Sequence, residues 1–180
     1  MKTLVFGAGN LLLSDEGFGV HLIRYLQEQY DFPPEVELYD GGTLGIMVAH
    51  MLEDADQVYL VDVIDAAGKA GEILRCGKAD FMLGTLPIKM SPHQIGIQEI
   101  LALSELRDRC PERVTLFGVI PLSYAAGVEL SPTLAAQLPV VSGMLVAELT
   151  ASGHRIVKRI VTEIPGTLDR GCHKELFNGR

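Results

Sequence analysis

Between Leu4 and Val20 the chain passes from an apolar triplet, Leu4-Val5-Phe6, through the closely spaced glycines Gly7 and Gly9 into a segment with helical spacing. That order is a strand, a glycine turn and a helix start, and it constrains the fold more than any other stretch. In open α/β sheets such turns stand at the carboxyl ends of strands, where these folds bind their ligands. Phe18, Leu22, Leu26 and Tyr30 share one helix face and His21, Arg24 and Glu28 another, which predicts a helix from Asp15 to about Tyr30. Ser14 is the expected N-cap, and Asp15 and Glu16 suit the positive end of the helix dipole.

The alternation continues along the chain. Residues 36–39 read as a strand closed by the turn Asp40-Gly41-Gly42, and Thr43 as the cap of a helix striped by Leu44, Met47, Val48, Met51 and Leu52. Residues 58–63 form a third strand with Asp62 near its carboxyl end, and residues 72–75 an extra strand that suits an antiparallel position. Residues 77–91 have no clear period and read as a long loop. Ser91-Pro92-His93-Gln94 precedes a helix carrying Ile97, Ile100, Leu101 and Leu103, and residues 113–120, apolar almost throughout, form a buried central strand. Pro132 and Pro139 each mark a helix start, the second helix running to about Ala151. Strands alternating with helices predict an α/β fold, a three-layer α/β/α sandwich whose mostly parallel twisted sheet carries helices on both faces. The 180 residues suit a single domain, 1–180, with 153–180 as a partly ordered tail.

What the glycine turn binds is a choice between a dinucleotide and a cation. Gly7-Ala8-Gly9 supplies two glycines of a G-x-G-x-x-G fingerprint, but Leu12 stands in the third place. Asp15 and Glu16 follow where a pyrophosphate needs amide donors, and Asp40 lies beyond the roughly 20-residue spacing of a ribose-binding acid. A cation fits better. Glu16 at the first strand-to-helix turn, Asp62 at another strand's end and His93 just before a helix all belong at the carboxyl-end crevice. Two carboxylates and an imidazole match a borderline divalent ion such as Ni²⁺ or Zn²⁺ and leave positions for water or a partner's ligands. Taken singly, each residue has an ordinary role in a helix dipole, a turn or a backbone hydrogen bond, so the metal reading rests on convergence. His21 and His50 read as solvent-facing, and His154 and His173 fall in the tail.

Charge and cysteine content narrow the classes further. Fifteen basic and 23 acidic residues give a formal charge of −8, which argues against nucleic acid or an anionic membrane as partner. Cys76, Cys110 and Cys172 are odd in number and contain no C-x-x-C pair, so no disulfide framework is expected. The N-terminus lacks a signal-peptide core and no uninterrupted apolar run reaches the roughly 20 residues of a membrane span, so the expected location is cytoplasmic. The sequence has no H-E-x-x-H, no G-x-S-x-G and no evident Cys–His pair. Were such a cation site hydrolytic, the bound ion, or water polarised by it, would activate a carbonyl with a carboxylate moving the proton, and Asp40 is a candidate for that step or for substrate positioning.

Together, Gly7-x-Gly9-Asn10-x-Leu12-x-x-Asp15-Glu16-Gly17-x-Gly19, Asp40-Gly41-Gly42-Thr43, the strand at 58–62 and Ser91-Pro92-His93-Gln94 resemble the hydrogenase maturation endopeptidases of the M52 type. The likeness runs from the first strand to the last helix. It implies a cytoplasmic, metal-assisted or aspartyl-type protease that removes a short C-terminal peptide from the nickel-loaded large-subunit precursor of a nickel–iron hydrogenase. Within the family the chain is most similar to enzymes serving membrane-bound uptake hydrogenases. The family's metal-binding Glu, Asp and His fall on Glu16, Asp62 and His93. Nickel would be presented by the precursor, and zinc or cadmium would suit the same donors. The precursor is the implied partner, and a monomer is the expected state. Two other classes stay open on the residues alone: a zinc-dependent aminopeptidase-like hydrolase, and a non-catalytic metal-sensing chaperone of the precursor.

Overall fold

The structure, a computed structural model, describes residues 1–43, 48–82, 88–89 and 92–159. β1 (Thr3–Ala8) is buried at every position. The glycine turn after it leads through a 3-10 turn at Ser14–Gly17 into α1 (Phe18–Gln29). Then come β2 (Tyr30–Asp31), β3 (Val36–Gly42), α2 (Ala49–Glu53) and β4 (Gln57–Val63), the last also buried throughout. β5 (Asp65–Ala66), β6 (Ile73–Gly77), α3 (Lys78–Met82) and β7 (Ile88–Lys89) lead to α4 (Pro92–Leu106) and β8 (Arg113–Val119). The described chain closes with α5 (Pro132–Ala135), α6 (Leu138–Ala151) and β9 (Val157–Lys158).

Five strands form one sheet in the order β3-β1-β4-β8-β6. The first four are parallel, and β6 runs antiparallel to β8 at the edge. Side chains of a strand alternate between faces, and a sheet covered on both sides must bury both sets. Here Leu4, Phe6, Val58, Leu60, Val114 and Leu116 share one core with Leu52, Ile100 and Leu101 of α2 and α4. Val5, Tyr59, Val61, Phe117 and Val119 share the other with Leu22 and Leu26 of α1 and Val141, Leu145 and Leu149 of α6. The three-layer α/β/α arrangement follows directly. Residues 132–151 have the length and composition of a membrane span, at a mean hydropathy of 1.5. In the fold one side of α6 is committed to the core, with Val141, Ser142, Leu145 and Leu149 buried.

Several local expectations change. Residues 77–91 are not all loop: α3 lies within them, and β7 pairs with β5 through Asp65↔Lys89 and Ala66↔Ile88. Ser14 is no side-chain cap; it sits at φ 47 in the 3-10 turn, and α1 begins four residues later at Phe18. α4 begins at Pro92, so His93 falls in its first turn rather than ahead of it. The apolar stripe residues Leu44 and Met47 lie outside the described residues, as do His173 and Cys172. Cys76 and Cys110 are free thiols. His154 is a core group: its Nε2 lies 2.8 Å from the hydroxyl of buried Thr3.

Candidate active site

β1 connects through α1 to β3 on one side of it, while β4 lies on its other side. Chain direction across the sheet therefore reverses between β1 and β4. Such a reversal leaves a crevice at the strands' carboxyl ends, because the helices that follow depart to opposite faces. α1 approaches unusually closely here. A Cβ on Gly19 would stand 2.3 Å from the carbonyl oxygens of both Ala8 and Val61, so the glycine that allows close helix–strand packing is Gly19. Leu12, in the dinucleotide fingerprint's third position, is largely exposed.

Glu16 stands in the 3-10 turn on the β1 side of this crevice. Its Oε2 is buried and has no hydrogen-bond partner among the described residues. Asp62, the penultimate residue of β4, is 1% exposed, and its Oδ1 accepts the Val63 N–H at 2.8 Å. Strand parity assigns Asp62 to the face of Val58 and Leu60, the face that α4 covers. α4 leads into β8, which is parallel to β4, so the helix begins at the carboxyl edge of the sheet and its first-turn residue His93 shares that edge. The β5–β7 ladder ties the chain four residues before His93 to Asp65, three residues beyond Asp62. The side chain of His93 is outside the described set; among the described residues no three His, Cys, Asp or Glu side chains form a metal-holding group.

A further group marks the crevice. The phenol of Tyr124 is pushed above its usual pKa, first by burial and then by the negative charges of Asp65, Glu16, Asp62 and Asp15. Carboxylates from the β1 turn and the β4 end thus act electrostatically on one hydroxyl from the segment after β8. The buried, unsatisfied oxygen of Glu16 suits a cation, since an ionised carboxylate away from water needs a positive partner or a donor. Asp40 sits on β3 beside Gly7. Its Oδ1 accepts the Gly42 N–H at 3.1 Å and its Oδ2 lies 3.5 Å from Arg24 Nη2. A cavity of about 640 Å³ lined by Gln57, Tyr59, Arg113 and Thr115 lies at the opposite, amino-terminal edge and plays no part in this crevice.

Comparison with known proteins decides what the crevice belongs to. A family model described as hydrogenase maturation protease matches residues 20–148. The chain belongs to the hydrogenase maturation proteases. It is 31% identical to the hydrogenase 2 maturation protease of Escherichia coli K12 over 88% of this chain and 97% of that one. It is 35% identical to the hydrogenase expression/formation protein HupD of Rhodobacter capsulatus over 87% of this chain and 75% of that one. The solved structure of the E. coli hydrogenase maturating endopeptidase HybD superposes with a TM-score of 0.82 at 32% identity, covering 88% and 98% of the two chains.

In this protease the glycine turn is held by a residue that sequence reasoning had assigned to the helix dipole. Asp15 is fully buried. Its Oδ1 accepts the Ser131 N–H at 2.7 Å, and its Oδ2 accepts the N–H groups of Leu122 and Ser123 at 2.9 Å and the Ser131 hydroxyl at 3.0 Å. Ser14 and Leu12 add backbone bonds to Gly127. Residues 121–131 thereby form a strap fastened across the turn that carries Glu16. The strap and Tyr124 went unforeseen because nothing local links them to a site more than 100 residues upstream. The one available signal was a doubled carboxylate, Asp15-Glu16, in a turn with room for one role. His21 is also corrected: it is half-buried, with its Nε2 inaccessible and without a hydrogen-bond partner among the described residues, rather than solvent-facing.

Proposed function

We propose that this protease removes a short C-terminal peptide from the nickel-loaded large-subunit precursor of a nickel–iron hydrogenase, of the membrane-bound uptake kind, acting in the cytoplasm as a monomer. The observation that carries the cation half of this reading is the buried Glu16 Oε2, a carboxylate oxygen with no hydrogen-bond partner among the described residues. A buried carboxylate oxygen that the described chain leaves without a donor is one that a cation can satisfy. In this reading Glu16 and Asp62 offer carboxylate oxygens and His93 an imidazole nitrogen to nickel that the precursor already holds on thiolates. Nickel is thus part of the substrate, and its presence becomes the condition for a tight complex. The same oxygen and nitrogen donors suit zinc or cadmium in the isolated enzyme.

Hydrolysis adds water across the scissile bond, the hydroxyl going to the carbonyl carbon and a proton to the leaving nitrogen. The ion's chemistry is to polarise that carbonyl or the attacking water. A carboxylate of the crevice relays the proton. Asp40 is the less favoured relay, because its two oxygens serve the turn at Gly42 and the ion pair with Arg24. The acids around Tyr124 favour a basic residue beside the scissile bond. Incubating the protease with nickel-loaded and nickel-free precursor and weighing the products tests the reading. It expects a C-terminal fragment from the loaded precursor alone. Binding without a fragment, or equal cleavage of both forms, would contradict it.

A further inference from the structure

We propose that Leu12, Leu122, Tyr124 and Val128 form an apolar collar around the carboxylate crevice on which apolar side chains of the precursor dock, independently of the metal. The proposal rests on the functional reading above and names a second component of the same encounter. Ten large apolar side chains are exposed among the described residues, and these four are on the two loops that border Glu16, at 67%, 59%, 51% and 56% exposure. Scattered exposed leucines are ordinary; a concentration on one rim is the mark of an interaction surface.

The two loops are hydrogen-bonded to each other. Leu13 and Gly127 form a bridge, Ser14 N donates to Gly127 O at 2.8 Å and Gly127 N to Leu12 O at 3.0 Å. The buried Asp15 carboxylate holds the strap at Leu122, Ser123 and Ser131. Such bracing matters for binding, because a surface ordered in advance loses little entropy when a partner arrives. The strap is poor in charge: Glu129 is its single ionisable acid or base among residues 121–131 apart from the Tyr124 phenol.

The occupant follows from continuity with the crevice. The strap is hydrogen-bonded to Asp15, the neighbour of Glu16 in the same 3-10 turn. A chain that approaches Glu16 from the strap side therefore crosses the collar, and the segment that fits carries branched or aromatic side chains beside its metal-bearing residues. Once seated, it excludes water from the crevice and strengthens the ion–carboxylate contacts there. The metal then supplies the dependence on loading, and the collar supplies affinity and choice of partner.

The test uses the full chain carrying Leu122→Ser and Val128→Ser together, with Leu122→Ile as the conservative control. Both side chains are more than half exposed, so thermal unfolding should match wild type. Binding to nickel-loaded and nickel-free precursor is measured by calorimetry, with sedimentation for self-association. The expected result is a loss of affinity of about tenfold or more for both precursor forms. The ratio between the forms should keep its wild-type value, and Leu122→Ile should restore binding. Unchanged affinity for both forms would overturn the proposal, as would a loss confined to the loaded form. A wild-type dimer that dissociates in the double variant would make the collar a contact between copies, which also overturns it. A wild type that ignores nickel refutes the functional reading instead, and does so without reference to these variants.

Discussion

Replacing Asp15 by asparagine removes one oxygen from a carboxylate that accepts four hydrogen bonds. The less costly orientation turns the new amide nitrogen toward Ser131 N, whose 2.7 Å bond becomes a donor–donor contact, and keeps the oxygen on Leu122, Ser123 and the Ser131 hydroxyl. Losing one hydrogen bond to a charged acceptor costs about 1.5–3 kcal/mol, and the three others fall from charge-assisted to neutral strength at roughly 0.5–1 kcal/mol each. The total is about 3–6 kcal/mol. For a domain of this size each kcal/mol lowers Tm by about 2–4 °C, so a drop on the order of 10 °C is expected. Urea unfolding followed by circular dichroism measures the global part, and limited proteolysis within 121–131 measures local release of the strap. If Asp15→Asn stays within about 0.5 kcal/mol of wild type and the strap resists protease, the clamp has been misread.

Gly19→Ala should cost more than about 3 kcal/mol or prevent folding, because both atoms that its Cβ would strike at 2.3 Å belong to the backbone; a stability near wild type in urea would show that α1 can lift away. Thr3→Val leaves the buried His154 ring nitrogen without its 2.8 Å partner, for an expected loss of about 1–3 kcal/mol by urea unfolding. A change too small to measure would mean that water replaces the hydroxyl. For Tyr124, the absorbance titration at 295 nm of wild type minus Tyr124→Phe should give one phenol ionising above the ordinary tyrosine range. Because the unfolded chain gives up that proton first, the phenol's contribution to stability is intact below the unfolded pKa and is lost as pH rises through the folded one. Glu16→Gln should move the titration downward by removing a negative neighbour, and a titration that does not move would separate Glu16 from Tyr124.

The sequence revealed what local pattern can encode. β1, the glycine turn and α1 were readable because a buried strand and an amphipathic helix have different periods, and α5 and α6 because Pro132 and Pro139 mark helix starts. The edge strand β6 was legible as a short apolar stretch. Elements of five and two residues, α3 and β7, are too short to show a period and exist through their neighbours. Long-range pairing decided the rest. Asp15 and Glu16 have nearly the same local preferences, and only the strap more than 100 residues later makes one a buried clamp with four hydrogen bonds, while the other keeps a carboxylate oxygen without a partner among the described residues. His154 looked like tail until the chain brought it against Thr3. Glu16, Asp62 and His93 were readable as candidates because their types and strand-end positions fit a cation, but convergence at one edge comes from the strand order β3-β1-β4-β8 and the direction of α4.

X-ray absorption at the nickel edge, recorded on loaded precursor whose scissile bond resists cleavage, reads the proposed contact itself. Adding the protease should bring oxygen and nitrogen neighbours into a sulfur-rich nickel shell, and Glu16→Gln, Asp62→Asn or His93→Ala should each remove part of that change. A nickel spectrum that is the same with and without wild-type protease, in a complex shown to have formed, would contradict the account at its centre.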